Sequence, residues 1–419
     1  MGARLHFLRW AGVLLMVSIL VNAPPNRSGR VLDRMAPAVY QALKTLRAPA
    51  RQFEFPVDNT GPGGRTYTKS TNIGLDLLST VAALEQGQED PFLGLEHVRR
   101  VVQGLSTLRT HRGIFPEYVH LNEDGAVADV ADGRIRYSSV DSAWLHFALS
   151  VAGHYFRPVD PALARAMEKQ VDAADYSLFL HDDNRRFRHG VTVLADDDSV
   201  AEAWPYDYDN KNSEARLLIV FLTAAGKIPP DVWRAMTYDT VQVEGLTVAD
   251  GWKLSAFVEL AGNIYFDEAA IAPCTLGAHH LRYVEASRRI AFRRGFRFYG
   301  WAPCYGPGDT YQEYGLSHPE VVSPYAVALL ATVGEKEALL NFHKFVQSSP
   351  SLAGAAPFPD AVDPRTGGVL NRRALSLNQN LFYHALSKDA LRRVVARAGW
   401  HAKASRLIAD MDEEPRPLK

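Results

Sequence analysis

STNIGLDLLSTVAAL, residues 70–84, places Ile73, Leu77, Val81 and Leu84 at intervals of four, four and three. That is the spacing of one face of an α-helix, not the two-residue alternation of a half-buried strand. Ser70 or Thr71 is available to cap its first turn. Moving outward, Leu95, Val98, Val102, Leu105 and Leu108 form a partner stripe, and the Gly and Pro of the following stretch, Gly113 to His120, predict an extended segment. Helical spacing then returns at Val140, Trp144, Phe147 and Val151; at Leu217, Val220, Phe221 and Ala224; and at Val322, Tyr325, Ala326, Leu329, Leu330 and Val333.

Further helices are expected over Pro161 to Leu180, after Gly277, and over Glu335 to Val346, Asn378 to Leu386 and Ala390 to Met411. Sustained two-residue alternation is confined to short pieces such as Phe187 to Leu194. Helical stripes of this kind must be buried on one another. Ten to twelve helices in successive antiparallel pairs predict an all-α toroid with its long loops at one mouth, formed as one domain over residues 51–412. No short repeat is visible, which disfavours a solenoid.

The remaining composition narrows the function. The chain has 419 residues, 46 basic and 47 acidic side chains, a formal charge of -1 and two cysteines. It lacks the basic footprint of a nucleic-acid binder, and its cysteines are too few for a disulfide scaffold or a four-cysteine zinc module. Arg4 and Arg9 precede a mostly apolar run from Trp10 to Val21, so residues 1–23 read as a signal peptide or an uncleaved N-terminal anchor and 24–50 as a linker or N-terminal extension. Export predicts a periplasmic or secreted protein with possible membrane association through that segment. In that compartment Cys274 and Cys304 are either bonded or two buried free thiols. The run from Asp207 and Asp209 departs from a calcium loop at Asn212 and Leu218. No metal or cofactor is implied, and the sequence does not decide the oligomeric state.

Four segments combine carboxylates with aromatic rings, the residue types a sugar-cleaving site requires for acid–base work and for the faces of the sugar. Glu117 and Tyr118 adjoin in one. Asp141 precedes Trp144 by three residues in the second. The third holds Trp204, Tyr206, Asp207 and Glu214 before an apolar helix, and the fourth, too rich in Gly and Pro for a helix, holds Trp301, Asp309, Tyr311 and Glu313. Glu214 and Asp141 are the leading catalytic candidates, followed by Glu313 and Asp309. Glu117, Tyr118, Trp144, Trp204, Tyr206, Asp207, Trp301, Tyr311 and Gln379 are the candidates for holding substrate. Each acid also has a purely structural reading: Asp141 or Ser139 as a helix cap, Glu214 as a cap or a partner for Arg216.

At these segments the chain resembles the glucoamylase-like domain of cyclic β-1,2-glucan synthases and related bacterial endo-β-1,2-glucanases. Thr71 to Thr80 is similar to that group's TNIGLYLLST stretch, Ser138 to Trp144 to its S-T-V/I-D segment, Ser213 to Leu217 to its acidic helix start, and Val321 to Ala328 to its VVAPYATA block. Gly367, Gly368 and Val369, then Leu377, Asn378 and Gln379, resemble its closing segment. The resemblance runs from Thr71 to His384. It implies an (α/α)6 toroid, an oligo- or polysaccharide substrate, and acidic cleft positions at Asp141 and Glu214. Two departures stand out. Ala302, Pro303 and Cys304 replace a serine-glutamate-serine, and in Ala256 to Leu260 the acid, Glu259, is displaced by one residue. An acid of the synthase pattern is thus absent, and transglycosylation does not carry over with the resemblance.

The leading expectation is an exported, endo-acting glycoside hydrolase with paired carboxylates. A glycan-binding or polysaccharide-assembly component is the second. A polysaccharide lyase using Tyr311, Tyr314 or His384 is the third.

Overall fold

A computed structural model describes residues 30–49, 53–123, 125–348 and 356–413. The 70–84 stripe forms a helix over Ser70–Glu85, buried along all but its last residue. Neither of its expected caps acts as one: Lys69 occupies the N-cap position without a side-chain bond, Ser70 Oγ donates to the Pro116 carbonyl at 2.6 Å, and Thr71 Oγ1 donates to Asp141 at 2.6 Å. Those hydroxyls tie loops to the helix start instead.

This helix lies against Ser139–Phe156, which contacts Arg216–Ala224. Arg216 then reaches the Ala256–Leu260 segment through the Glu259 carbonyl at 2.6 Å. That segment packs on Pro324–Ala331, which packs on Ser376–Leu386, and Ser376–Leu386 returns to Ser70–Glu85. Gly74 makes the first of these contacts possible, because a Cβ there would sit 2.8 Å from the Trp144 carbonyl oxygen. Polar bonds close the last one, with Ser79 Oγ donating to Asn380 at 2.6 Å and lying 2.9 Å from His384. Pro91–Thr107 packs on Ser70–Glu85, Pro161–Ala173 on Ser139–Phe156, and Lys336–Ser348 on Pro324–Ala331; Ala278–Arg294 covers the Ala256–Leu260 side.

Several expected boundaries move. The helix after Pro161 stops at Ala173, and a short 3-10 turn, Tyr176–Phe179, follows. The stretch from Ala390 to Met411 divides into Lys388–Ala396 and His401–Glu413. Within the expected linker or N-terminal extension, Arg30–Lys44 is a helix that buries Met35, Val39, Tyr40 and Leu43 in the core. Short antiparallel sheets of two or three strands occupy the loops, a feature the helical spacing does not report. Cys304 is buried and Cys274 exposed, and both are free thiols. The 1–23 segment lies outside the described residues, and no helix among those described is long and apolar enough to cross a membrane.

Candidate active site

Three small sheet contacts assemble one wall of the site. Strand Tyr67–Lys69 pairs with Tyr118–Asn122 so that Lys69 faces Tyr118. The Glu117 amide donates to the Arg136 carbonyl at 2.9 Å, which sets Arg136 from strand Arg134–Ser138 beside Glu117. Strand Gly190–Leu194 pairs with Arg134–Ser138, and the Trp204 amide donates to the Gly190 carbonyl at 2.9 Å. Gly190 is required here, since a Cβ would stand 2.6 Å from the Trp204 ring.

On this frame Arg136 Nε donates to Glu117 at 2.8 Å while its guanidinium covers the Trp204 ring at 4.2 Å. Lys69 Nζ lies 3.9 Å from Glu117 and 4.7 Å from the centre of the Tyr118 ring. Strand Arg134–Ser138 runs directly into the Ser139–Phe156 helix, and Ser138 Oγ accepts from the Asp141 amide at 3.3 Å. Ser138, rather than Asp141 or Ser139, is therefore the cap. The Asp141 carboxylate is free to accept from Thr71 and to face Lys69.

Glu214 comes from the loop that leads into the Arg216–Ala224 helix. It precedes the helix, which begins at Arg216, rather than lying in its first turn. It does not pair with Arg216. It accepts from the Tyr208 hydroxyl at 2.9 Å, and Tyr208 is held by stacking on His189 at 3.9 Å. Burial raises the Glu214 carboxyl above the ordinary range, the Tyr208 bond opposes this, and the charge of Asp141 adds to the rise. Glu117 is also raised, by burial and then by Asp141, against Lys69 and Arg136. For Lys69 burial acts to lower the ammonium, but Asp141, Tyr118 and Glu117 outweigh it and hold it well above its usual value. Glu313 is raised by burial and opposed by Lys253, and its charge reaches Glu214. Tyr311, 45% exposed, stands within electrostatic reach of Lys69, Glu214 and Glu313. A groove of about 440 Å³ runs past Lys253, Tyr311, Glu313 and His318.

Glu117, Tyr118, Asp141, Trp204, Glu214, Tyr311 and Glu313 thus share one electrostatic neighbourhood. Tyr206 is 69% exposed near it, and Asp207 is engaged by His181 at 2.8 Å. Four expected residues lie elsewhere. Trp144 is buried against Tyr265 and Phe147, at 5.5 and 6.1 Å between ring centres. Three residues after Asp141 it is nearly one turn further along the helix, which carries it into the core. Trp301 is fully buried, because its segment runs inside the protein, with its carbonyl accepting from the Ala256 amide at 2.9 Å, before emerging as a hairpin. Gln379 is buried with its amide bracketing the Phe358 backbone at 3.2 and 2.9 Å. Asp309 pairs with Arg373 and accepts from Asn371 at 3.1 Å in a separate groove. His384, the lyase candidate, is fully enclosed with Tyr265 at 2.7 Å, and burial pushes its ring down to about 3.

Sequence reasoning missed Lys69, Thr71, Arg136 and Tyr208. Tyr208 lies in the aromatic stretch between Trp204 and Glu214, whereas Lys69 and Arg136 carry no local signal, because strand pairing alone brings them to the acids. The group combines raised carboxyls, a carboxylate held by a hydroxyl and a cation, and accessible rings. It can donate a proton, accept one and hold a polyol.

No family model matches the chain, and no curated protein does. Solved structures share its fold. The endo-β-1,2-glucanase from Chitinophaga pinensis, in complex with sophorotriose and glucose, superposes with a TM-score of 0.76 at 13% identity, over 92% of this chain and 98% of that one. A glucoamylase-like protein of Bacteroides caccae ATCC 43185 gives 0.76 at 12%, over 91% and 98%. The endo-β-1,2-glucanase from Talaromyces funiculosus in complex with sophorose gives 0.69 at 11%, over 90% and 88%. The remote relationship that the sequence blocks imply is therefore present in the fold.

Proposed function

We propose that this chain is an exported glycoside hydrolase that cleaves a β-linked glucan internally, with Glu214 as general acid and Asp141 as the base that activates water. The observation that carries this reading is the placement of three carboxylates around Lys69 with opposed environments. Glu214 and Glu117 are raised, which favours a protonated donor, while Asp141 accepts from Thr71 and faces an ammonium. A raised carboxyl near a second one engaged by a hydroxyl gives one site a proton donor and an acceptor. Tyr118, Trp204 and Tyr311 offer rings to the sugar faces.

The succession of helix neighbours that returns to its start supports closure into an (α/α)6 toroid. The apolar run from Trp10 to Val21 supports export to the periplasm or beyond. The sugars bound by the Chitinophaga and Talaromyces enzymes favour a β-1,2 linkage. A second reading, glycan binding without hydrolysis, is favoured by Ala302, Pro303 and Cys304 standing where the synthase group has an acid.

Incubating the purified chain with linear β-1,2-, β-1,3- and β-1,4-glucans and following reducing ends tests the proposal. The expected result is release of reducing ends, fastest with the β-1,2 polymer. Retention of glucan without cleavage would establish the binding reading, and an unsaturated product would establish a lyase.

A further inference from the structure

A second groove, of about 490 Å³, lies across the hairpin from the acids. The hairpin pairs Cys304–Tyr305 with Tyr311–Gln312. Tyr311 and Glu313 line the groove on the acid side, while Asp309, in the hairpin turn, lines the other together with Thr60, Leu370, Arg372 and Arg373. Its volume falls within the roughly 300–1,000 Å³ usual for small-ligand sites.

The polar groups of this groove are held in place before any ligand arrives. Arg373 pairs with Asp309 and lies over the Tyr305 ring at 4.2 Å. Asn371 donates to Asp309 at 3.1 Å and to the Gly306 carbonyl at 2.9 Å. Asp309 holds a left-handed backbone, φ 61°, within these bonds. Gly61 lets the chain pass so close that a Cβ would stand 2.2 Å from Arg373 Nε. Nε itself is buried without a hydrogen-bond partner. Arg372 is exposed, and Leu370 beside it is 36% exposed, supplying an apolar patch next to fixed donors and acceptors.

A track of rings joins this groove to the acids. Tyr118 lies 6.1 Å from Tyr67, whose hydroxyl is within electrostatic reach of Tyr305, and Tyr305 meets Tyr311 edge-on at 5.5 Å. Asp309 neutralises Arg373 while Arg372 stands exposed beside the pair, so the groove offers a fixed donor–acceptor set and one further guanidinium. That chemistry suits vicinal hydroxyls of a neutral sugar.

We propose that the Thr60, Asp309, Leu370, Arg372 and Arg373 groove is a distal subsite for one sugar unit of a glucan chain whose scissile bond lies at Asp141 and Glu214. It rests on the hydrolase reading for its substrate, and it reassigns Asp309 from chemistry to binding.

The test is calorimetric titration of full-length Glu214→Gln with linear β-1,2-gluco-oligosaccharides of increasing length, alone and combined with Arg372→Ala or Gly61→Ala. Circular dichroism would check that Gly61→Ala folds; Arg372, being exposed, carries no packing. We expect affinity to step up once the chain is long enough to reach the groove. Each added substitution should lower the affinity of the long oligosaccharides about five- to tenfold and that of the shortest bound one less than twofold. A step that persists in Arg372→Ala, equal losses at every length, or no binding at any length would overturn the subsite. The two readings fail separately. Length-dependent binding that needs Arg372, in a wild-type chain that cleaves nothing, would leave the subsite standing without the hydrolase. Cleavage with a length preference unchanged by Arg372→Ala would do the reverse.

Discussion

Glu214 and Arg216 are two residues apart and serve opposite purposes. Glu214, half-buried as a residue, is held by the Tyr208 hydroxyl, and burial raises its carboxyl. Arg216 is 2% exposed and spends its guanidinium on Glu268, at 2.9 and 3.1 Å, on Asn212 at 2.9 Å and on the Glu259 carbonyl at 2.6 Å. Around it Glu259 and Glu268 are equally buried, with His280 at 3.7 and 3.6 Å. Both regions hold carboxylates beside a cation. What separates them is pairing: several acceptors meet the Arg216 guanidinium and fix the loop before its helix, while a single hydroxyl holds Glu214.

Glu214→Gln should break the cleft and spare the cluster. We expect kcat on the cleaved glucan to fall about 10²- to 10⁴-fold, in line with loss of a general acid, while the denaturant midpoint is nearly unchanged. Arg216→Ala should do the opposite in stability, costing about 3–5 kcal/mol in urea unfolding because Glu268 loses its buried partner. A loss below about 1 kcal/mol would mean that the cluster is not the anchor described.

A subtler test reads the proton on Glu214. The Tyr208 hydroxyl favours the ionised carboxyl, so Tyr208→Phe removes a lowering influence and Glu214 should keep its proton to higher pH. The alkaline limb of the kcat/KM profile should then move upward; a limb that stays in place would detach Glu214 from the acid role.

In the cluster the corresponding probe is Glu259, whose carboxyl burial pushes up to about 8. A carboxyl raised on folding binds its proton more tightly in the native state. Its contribution to stability is intact below the ordinary carboxyl range and is lost as pH rises toward 8. Denaturation midpoints measured from pH 5 to 8 should decline for the wild-type chain and decline less for Glu259→Gln. Parallel declines would show that another group carries the dependence.

The contrast between the two regions also marks what local sequence can report. The stripe Ile73, Leu77, Val81 and Leu84, and those at Val140 and Leu217, determined helices and buried faces, because helical periodicity is written in consecutive residues. The clustering of Glu117, Asp141 and Glu214 with aromatic residues marked carboxyls that the fold brings near one another, because residue type is visible even when position is not. Direction is not visible. Trp144 and Trp301 looked like sugar platforms and are core, since one turn of helix or an interior run of chain decides which way a ring faces. The helix Arg30–Lys44 is not evident in the linker or N-terminal extension because its apolar face has meaning only against the core it covers.

Lys69, Arg136 and Tyr208 reach the acids through strand pairing and a stacked ring, interactions between residues far apart in the chain, and Asp309 leaves them through its bond to Arg373. The sequence by itself determined the helices whose apolar stripe is strongly periodic and which residue types could do sugar chemistry. Only the tertiary structure decided which carboxylates meet, which are enclosed and which face solvent, because burial and charge pairing depend on neighbours that the chain brings together only when folded.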